Sequence, residues 1–212
     1  MSSLLQLVPE DEQHVAAAVL GGCPRIALPA GTVRAAGRIP DAPLLVVEDG
    51  LVLVTSVRPA ATRRMIVALA GPGSFLLPLA PGERLGPLID SSITAVQADA
   101  YARLLALPGA ARAIAEGLAL ELRERQDSLA QFSSVRHVER VREKLLQLAR
   151  SHGRVSADGI RLDLPLTHEL VGEMVGSARE TVTWAFGQLA REGFLRREGR
   201  SYRLAVAPGG LA

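Results

Sequence analysis

At Pro108 the hydrophobic period of this 212-residue chain changes, and that change limits what it can fold into. Before it, apolar residues come in short runs punctuated by glycine and proline: "RIALPAGTVRAAG", "LLVVEDGLVLVTSV", "RMIVALAGPGSFL", "SITAVQA" and "ARLLAL", all within residues 25–107. Runs of this length predict many short strands closed into a sandwich or barrel, of which a jelly roll is one solution. The Asp49-Gly50 pair between two apolar runs predicts a hairpin, because a type I′ turn needs positive φ. After Pro108 the period is helical, so the fold class is α+β.

The first helical stretch, "GAARAIAEGLALELRERQDSLAQFSSVRHV", sets Ile114, Leu118, Leu122, Leu129 and Phe132 on one stripe, with Arg125 interrupting it. Glu116, Glu121, Glu124 and Asp127 fall mostly off that stripe. Unbroken, it makes a helix of about seven turns. Its apolar seam is longer than one small domain covers, so pairing with a second copy is the expected use. Ser133-Ser134 is the weakest point and a candidate hinge. The chain thus divides into a β domain (1–107), a dimerisation helix with hinge (108–134) and a C-terminal domain (135–212). Within the last, "VERVREKLLQLARSHG" spaces Val138, Val141, Leu145 and Leu148 as a helix ending at Gly153. "RVSADGIRLDLP" then reads as two short strands around Asp158-Gly159.

The stretch "LPLTHELVGEMVGSARETVTWAFGQLAREGFLRREGRSYRLAV" carries the chemistry. Thr167 can cap a short helix with Leu170, Val171 and Val175 inward. Gly172 allows a close crossing, and Gly176 sits where the chain turns sharply, a position glycine takes at little cost. Val182, Ala185, Phe186 and Leu189 form the buried face of a second helix. Two helices joined by a three-to-four-residue turn with glycine are the signature of a helix-turn-helix. The following hairpin, turning near Glu198-Gly199 with Arg196, Arg197, Arg200 and Arg203 around it, makes this a winged helix.

With Val182 inward, positions 180, 183, 184 and 187 fall on the opposite side, joined by Arg179 at the helix start. N-terminal residues of a recognition helix reach base edges, where arginine bonds guanine and glutamate accepts from cytosine. The candidate DNA-contacting set is Thr167, His168, Ser177, Arg179, Glu180, Thr181, Thr183, Trp184, Gln188, Arg197 and Arg200. Ser177 and Glu180 also fit a capping box, in which Glu180 only satisfies a backbone N–H.

Charge agrees with a nucleic-acid partner. Residues 133–212 carry 13 basic and 9 acidic side chains, whereas residues 1–132 carry 11 and 13. All the basic residues but Lys144 are arginine, which suits bidentate contacts to phosphate and guanine. The opening "MSSLLQLVPEDEQHV" has no basic segment ahead of an apolar run, and the most apolar stretch is broken by Gly71-Pro72-Gly73 and Pro78. A cytoplasmic protein with no membrane contact is expected. Cys23 is the only cysteine, which excludes an internal disulfide and a cysteine-ligated cluster within one chain. His14, His137, His152 and His168 lie outside the expected strands, so neither a metal site nor a cofactor is expected in the β domain. No nucleophilic triad or paired-carboxylate constellation is visible, and the chain does not read as an enzyme. The rival reading is a ligand-binding or enzymatic jelly-roll protein whose C-terminal domain mediates protein contacts; the basic wing favours DNA.

Val171-Gly172-x-x-Val175-Gly176-x-x-Arg179-Glu180-Thr181-Val182 resembles the helix-turn-helix of the cyclic-AMP receptor protein/fumarate-nitrate regulator (Crp/Fnr) superfamily of bacterial transcription factors. The resemblance implies an N-terminal jelly-roll (cyclic-nucleotide-binding-like) domain, a long dimerisation helix and a C-terminal winged helix-turn-helix. It implies a homodimer on a two-fold symmetric operator, with RNA polymerase as a further partner. It gives Arg179 and Glu180 the reading of a G·C-containing half-site, and puts Thr167, His168 and Thr181 near phosphates. Trp184 departs from the family, which usually has an arginine there. The family's cyclic-AMP binders carry a Gly-Glu pair and an Arg-Ser pair; here Asp90-Ser91 aligns with the latter, and Gly82-Glu83 has the wrong loop spacing. Arg125-Gln126 falls where the family's Thr-Ser pair meets the base. Cyclic-AMP dependence is therefore not expected, although Arg84 offers one cation for an anion site. The effector is left open.

Overall fold

The computed structural model describes residues 3–56, 64–131, 136–156 and 158–206, with the side chains of 128–131 excepted. Two compact units result, Met1–Arg125 and Gln126–Ala212.

The first unit opens with a 3-10 turn (Ser3–Gln6) and helix α1 (Glu10–Gly21). Six strands follow: β1 (Arg25–Leu28), β2 (Arg34–Ala35), β3 (Leu44–Ser56), β4 (Met65–Ala70), β5 (Phe75–Leu76) and β6 (Glu83–Val96). They form one antiparallel sheet, ordered β1-β6-β3-β4, with β2 also on β6 and β5 on β3. Helices α2 (Ala98–Leu105) and α3 (Pro108–Gln131) complete the antiparallel β domain with its helical cover.

The run "LLVV" at the start of β3 is continuous rather than alternating because both faces of the strand are buried. Leu44 and Val46 join Leu4, Val19, Phe75, Leu104 and Ile114 in a core that reaches the helices. Leu45 and Val47 join Leu28, Val52, Leu76, Leu85 and Ile93 in a second core.

Asp49-Gly50 does not turn the chain. β3 runs through it as one 13-residue strand, and both halves pair with β6 across register shifts at Asp49. Gly50 has φ 85°, and an added Cβ would stand 2.2 Å from Ser91 Oγ. Ser91 Oγ in turn accepts the Leu51 N–H at 2.9 Å. The positive φ read from the sequence is present, but it makes a bulge clasped by the neighbouring strand instead of a hairpin.

The α3 stripe also divides. Ile114 is 1% exposed in the core of its own unit, and Leu118 packs against the same cluster. Both were expected in a seam between two chains; the β domain covers Ile114, because α3 begins packed against α1 and the sheet, and leaves Leu118 half-buried. Leu122 (57% exposed) and Leu120 (59%), the latter absent from the expected stripe, are uncovered. Glu121, expected off the stripe, is buried on it. Phe132, the Ser133-Ser134 hinge and the side chain of Leu129 lie outside the described residues.

The second unit contains α4 (His137–His152), β7 (Arg154–Ser156), β8 (Gly159–Leu162), α5 (His168–Val175), α6 (Arg179–Arg191), β9 (Leu195–Glu198) and β10 (Ser201–Leu204). Its sheet is antiparallel in the order β7-β8-β10-β9. Val138, Val141, Leu145 and Leu148 of α4 are buried with Val171 and Val175 of α5 and Val182, Phe186 and Leu189 of α6. Among the described residues no helix is long and apolar enough to cross a membrane.

Candidate nucleic-acid interface

Thr167 caps α5, its hydroxyl accepting the Leu170 N–H at 3.1 Å. The helix ends at Gly176, whose φ of 63° lies in the left-handed region that glycine enters without strain. An added Cβ on Gly172 would stand 2.7 Å from Ser177 O, so the inter-helix turn closes over a residue without a side chain.

Helix α6 begins at Arg179 with Ala178 as its N-cap, and no side chain caps it. The capping box anticipated for Ser177 and Glu180 does not form. Ser177 is 7% exposed, and its hydroxyl lies 3.0 Å from His137 Nδ1, an atom that Arg140 also contacts. Ser177 is thus a tie between the turn and α4, and its burial removes it from the DNA-contacting set. Glu180, released from capping, is exposed beside Arg179.

Burial on α6 follows its period: Val182, Ala185, Phe186 and Leu189 are inside, while Arg179, Glu180, Thr183 and Trp184 are exposed. Trp184 is 58% exposed. Thr181 and Gln188 are half-buried, and Gln188 donates to Glu192 at 3.0 Å.

His168 joins the two helices. Its Nδ1 lies 2.8 Å from Thr183 Oγ1, and its ring sits 4.7 Å from that of Phe186, which packs edge-on against Tyr202. Burial first, then the charges of Arg197 and Arg179, lower the imidazole pKa below its ordinary value. One ring therefore feels both the wing and the start of α6. Nothing in the sequence pairs residues 168 and 183, because the contact depends on how α5 crosses α6.

The wing arginines separate into two kinds. Glu198 receives Arg203 at 2.8 Å and Arg196 at 2.5 Å, and these hydrogen bonds bring its carboxyl down to about 2. Arg197 donates to Gly199 O at 3.1 Å, and Arg200 is exposed; neither has a carboxylate partner among the described residues. Arg203 also reaches Asp158 at 3.4 Å, so Arg196 and Arg203 face two carboxylates, and net positive charge on the wing resides at Arg197 and Arg200.

The β domain holds a cavity of about 400 Å³ walled by α3 and the segment before β5. Leu7, Phe75 and Leu120 give it apolar surface, and Glu116, Glu121 and Glu124 reach it as well. Burial raises the Glu121 carboxyl above its ordinary pKa, against the opposing pull of Arg125 at 3.0 Å. Among the described residues no arginine lines this cavity, and neither do Gly82, Glu83 or Asp90. Asp90 instead accepts the Ala30 N–H at 2.7 Å, and Arg84 pairs with Ala35 in the sheet. No group of three or more His, Cys, Asp or Glu among the described residues could hold a metal ion.

Residues 139–207 match the Crp-like helix-turn-helix domain. The chain is 37% identical over 84 residues to the CRP-like cAMP-activated global transcriptional regulator of Mycobacterium tuberculosis (strain H37Rv), covering 40% of this chain and 38% of that regulator. The chain thus spans about two-fifths of the length of this curated relative. A double mutant of CooA from Carboxydothermus hydrogenoformans superposes with a TM-score of 0.74 at 18% identity, over 89% of this chain and 86% of that one. A CRP/FNR-family transcriptional regulator from Thermus thermophilus superposes with a TM-score of 0.64 at 23% identity, over 89% and 96%. The first and last of these proteins are named as transcriptional regulators and none as an enzyme.

Proposed function

We propose that the chain is a member of the Crp/Fnr superfamily and a sequence-specific, double-stranded-DNA-binding transcription regulator that acts as a homodimer without cyclic AMP. One observation carries the DNA reading: Arg179, Glu180, Thr183 and Trp184 form the exposed side of α6, and the exposed wing residues Arg197 and Arg200 have no carboxylate partner among the described residues. Phosphates take Thr167, His168, Thr181, Arg197 and Arg200, and base edges take Arg179, Glu180, Thr183 and Trp184. Gln188 stands at the margin of this surface.

Dimerisation rests on the uncovered leucines of α3. Leu120 and Leu122 are each more than half exposed, on the two flanks of a 24-residue helix, and a second copy of that helix would cover them. Two recognition helices then meet successive major-groove faces about 34 Å apart. Cyclic-AMP independence rests on the cavity beside α3, whose three glutamates oppose a cyclic phosphate and whose described walls hold no arginine to grip one. RNA polymerase is the further partner such a regulator would need to activate transcription.

Selection of bound duplexes from a random-sequence pool tests the reading. A recovered site with two inverted G·C-containing half-sites, obtained without added nucleotide, is the expected result. Recovery of no enriched sequence would overturn it.

A further inference from the structure

We infer that His168 holds DNA in its protonated form and takes up that proton as the complex forms. This rests on the proposal that α5 and α6 face DNA. The Thr183 hydroxyl lies 2.9 Å from the Arg179 carbonyl, one helical turn back, and donates its only hydrogen there. It has none left for His168, so at the 2.8 Å contact the imidazole Nδ1 must be the donor. That fixes the neutral ring as the Nδ1–H tautomer. Nε2 is then a lone pair, with no partner among the described residues.

A lone pair is the wrong group to meet a phosphate oxygen. Protonation of Nε2 turns it into a charge-assisted donor while the Nδ1–H bond to Thr183 stays in place. The charged groups acting on the ring are Arg197 of β9 and Arg179 of α6, with no carboxylate among them. In the free protein burial, and after it these two cations, disfavour the protonated ring. Phosphates of bound DNA would neutralise Arg197, and their field would offset the charge of Arg179 at the base edges, which reverses that balance. Protein that binds DNA must therefore gain a proton at His168.

Calorimetric titration of the full chain with the tightest duplex from a random-sequence pool, at one near-neutral pH in phosphate and in Tris, reads the proton directly. The expected result is a buffer-dependent heat equivalent to uptake approaching one proton per protomer. Affinity should fall as pH rises, with a limiting slope of about tenfold per pH unit for each histidine. His168→Gln keeps an N–H donor that cannot titrate, and should bind with equal heats in both buffers. Wild-type heats that do not depend on buffer, or a dependence that survives in His168→Gln, would overturn the proton linkage while the DNA reading stands. Failure of the wild type to bind any duplex would overturn both.

Discussion

Glu12 and Ala110 lie 98 residues apart in the chain, and the carboxylate of the first accepts the backbone N–H of the second at 2.9 Å. Its other oxygen accepts the Gly109 N–H, also at 2.9 Å. A side chain of α1 thus satisfies two of the free donors at the start of α3 and places negative charge at its positive end. Glu12→Ala should cost about 1–2 kcal/mol of stability in urea unfolding. Glu12→Gln, which keeps one acceptor, should cost less. Equal losses for both would mean that the acceptors contribute little.

The divided face of α3 predicts two different defects. Ile114→Ala should destabilise the β domain by about 2–5 kcal/mol, as expected for a large-to-small change in a closed core. Replacing Leu120 and Leu122 with glutamate should leave the core intact, because both are exposed, and lower stability only by the concentration-dependent contribution of the dimer. It should instead yield monomers in sedimentation and abolish specific DNA binding. A double variant that remains dimeric would place the dimer contact elsewhere.

Glu121 gives a pH signature. Its folded-state carboxyl titrates above its unfolded value because burial disfavours the charge. An acid raised in this way binds its proton more tightly when folded. Its contribution is favourable below the unfolded value and is lost as pH rises through the folded one. Glu121→Gln should therefore raise the thermal midpoint at neutral pH and have little effect near pH 4. A lower midpoint at neutral pH would mean that the pair with Arg125 outweighs desolvation. The same acidic cavity predicts no calorimetric heat with cyclic AMP in the wild type.

On the recognition surface, Arg179→Ala should cost about 1–3 kcal/mol and relax preference at one guanine, as a lost bidentate contact does. Arg197→Ala and Arg200→Ala should weaken all sequences alike and reduce the salt slope by about one each. Arg196→Ala should do less, because Glu198 already compensates that charge. Trp184 offers one N–H and no charge, so Trp184→Arg should add guanine preference at one position of the selected site. An unchanged site would mean that residue 184 does not reach the bases.

The turn of the helix-turn-helix was legible because its determinants are local. Gly176 takes a positive φ that the neighbouring residues cannot adopt cheaply, Gly172 lies five residues from the backbone it approaches, and the stripe from Val182 to Leu189 needs only helical period. The wing was legible for the same reason, since Glu198 and Ser201 pair across two residues. Local spacing fixes dihedral angles and the facing of a side chain relative to its own element. It carries no information about what stands opposite. That is why Gly50 has the expected φ yet makes a bulge: Ser91, 41 residues away, supplies the strand that continues past it. Ser177 had the spacing of a cap and went to His137, and Ile114 had the spacing of a dimer seam and went to its own core. Glu121 was buried by a helix face whose partner is the sheet. In each case the sequence determined a conformation or a periodicity, which depends on residues a few positions away. The tertiary structure determined the partner, because burial and hydrogen bonding are satisfied by whichever surface packing brings within reach.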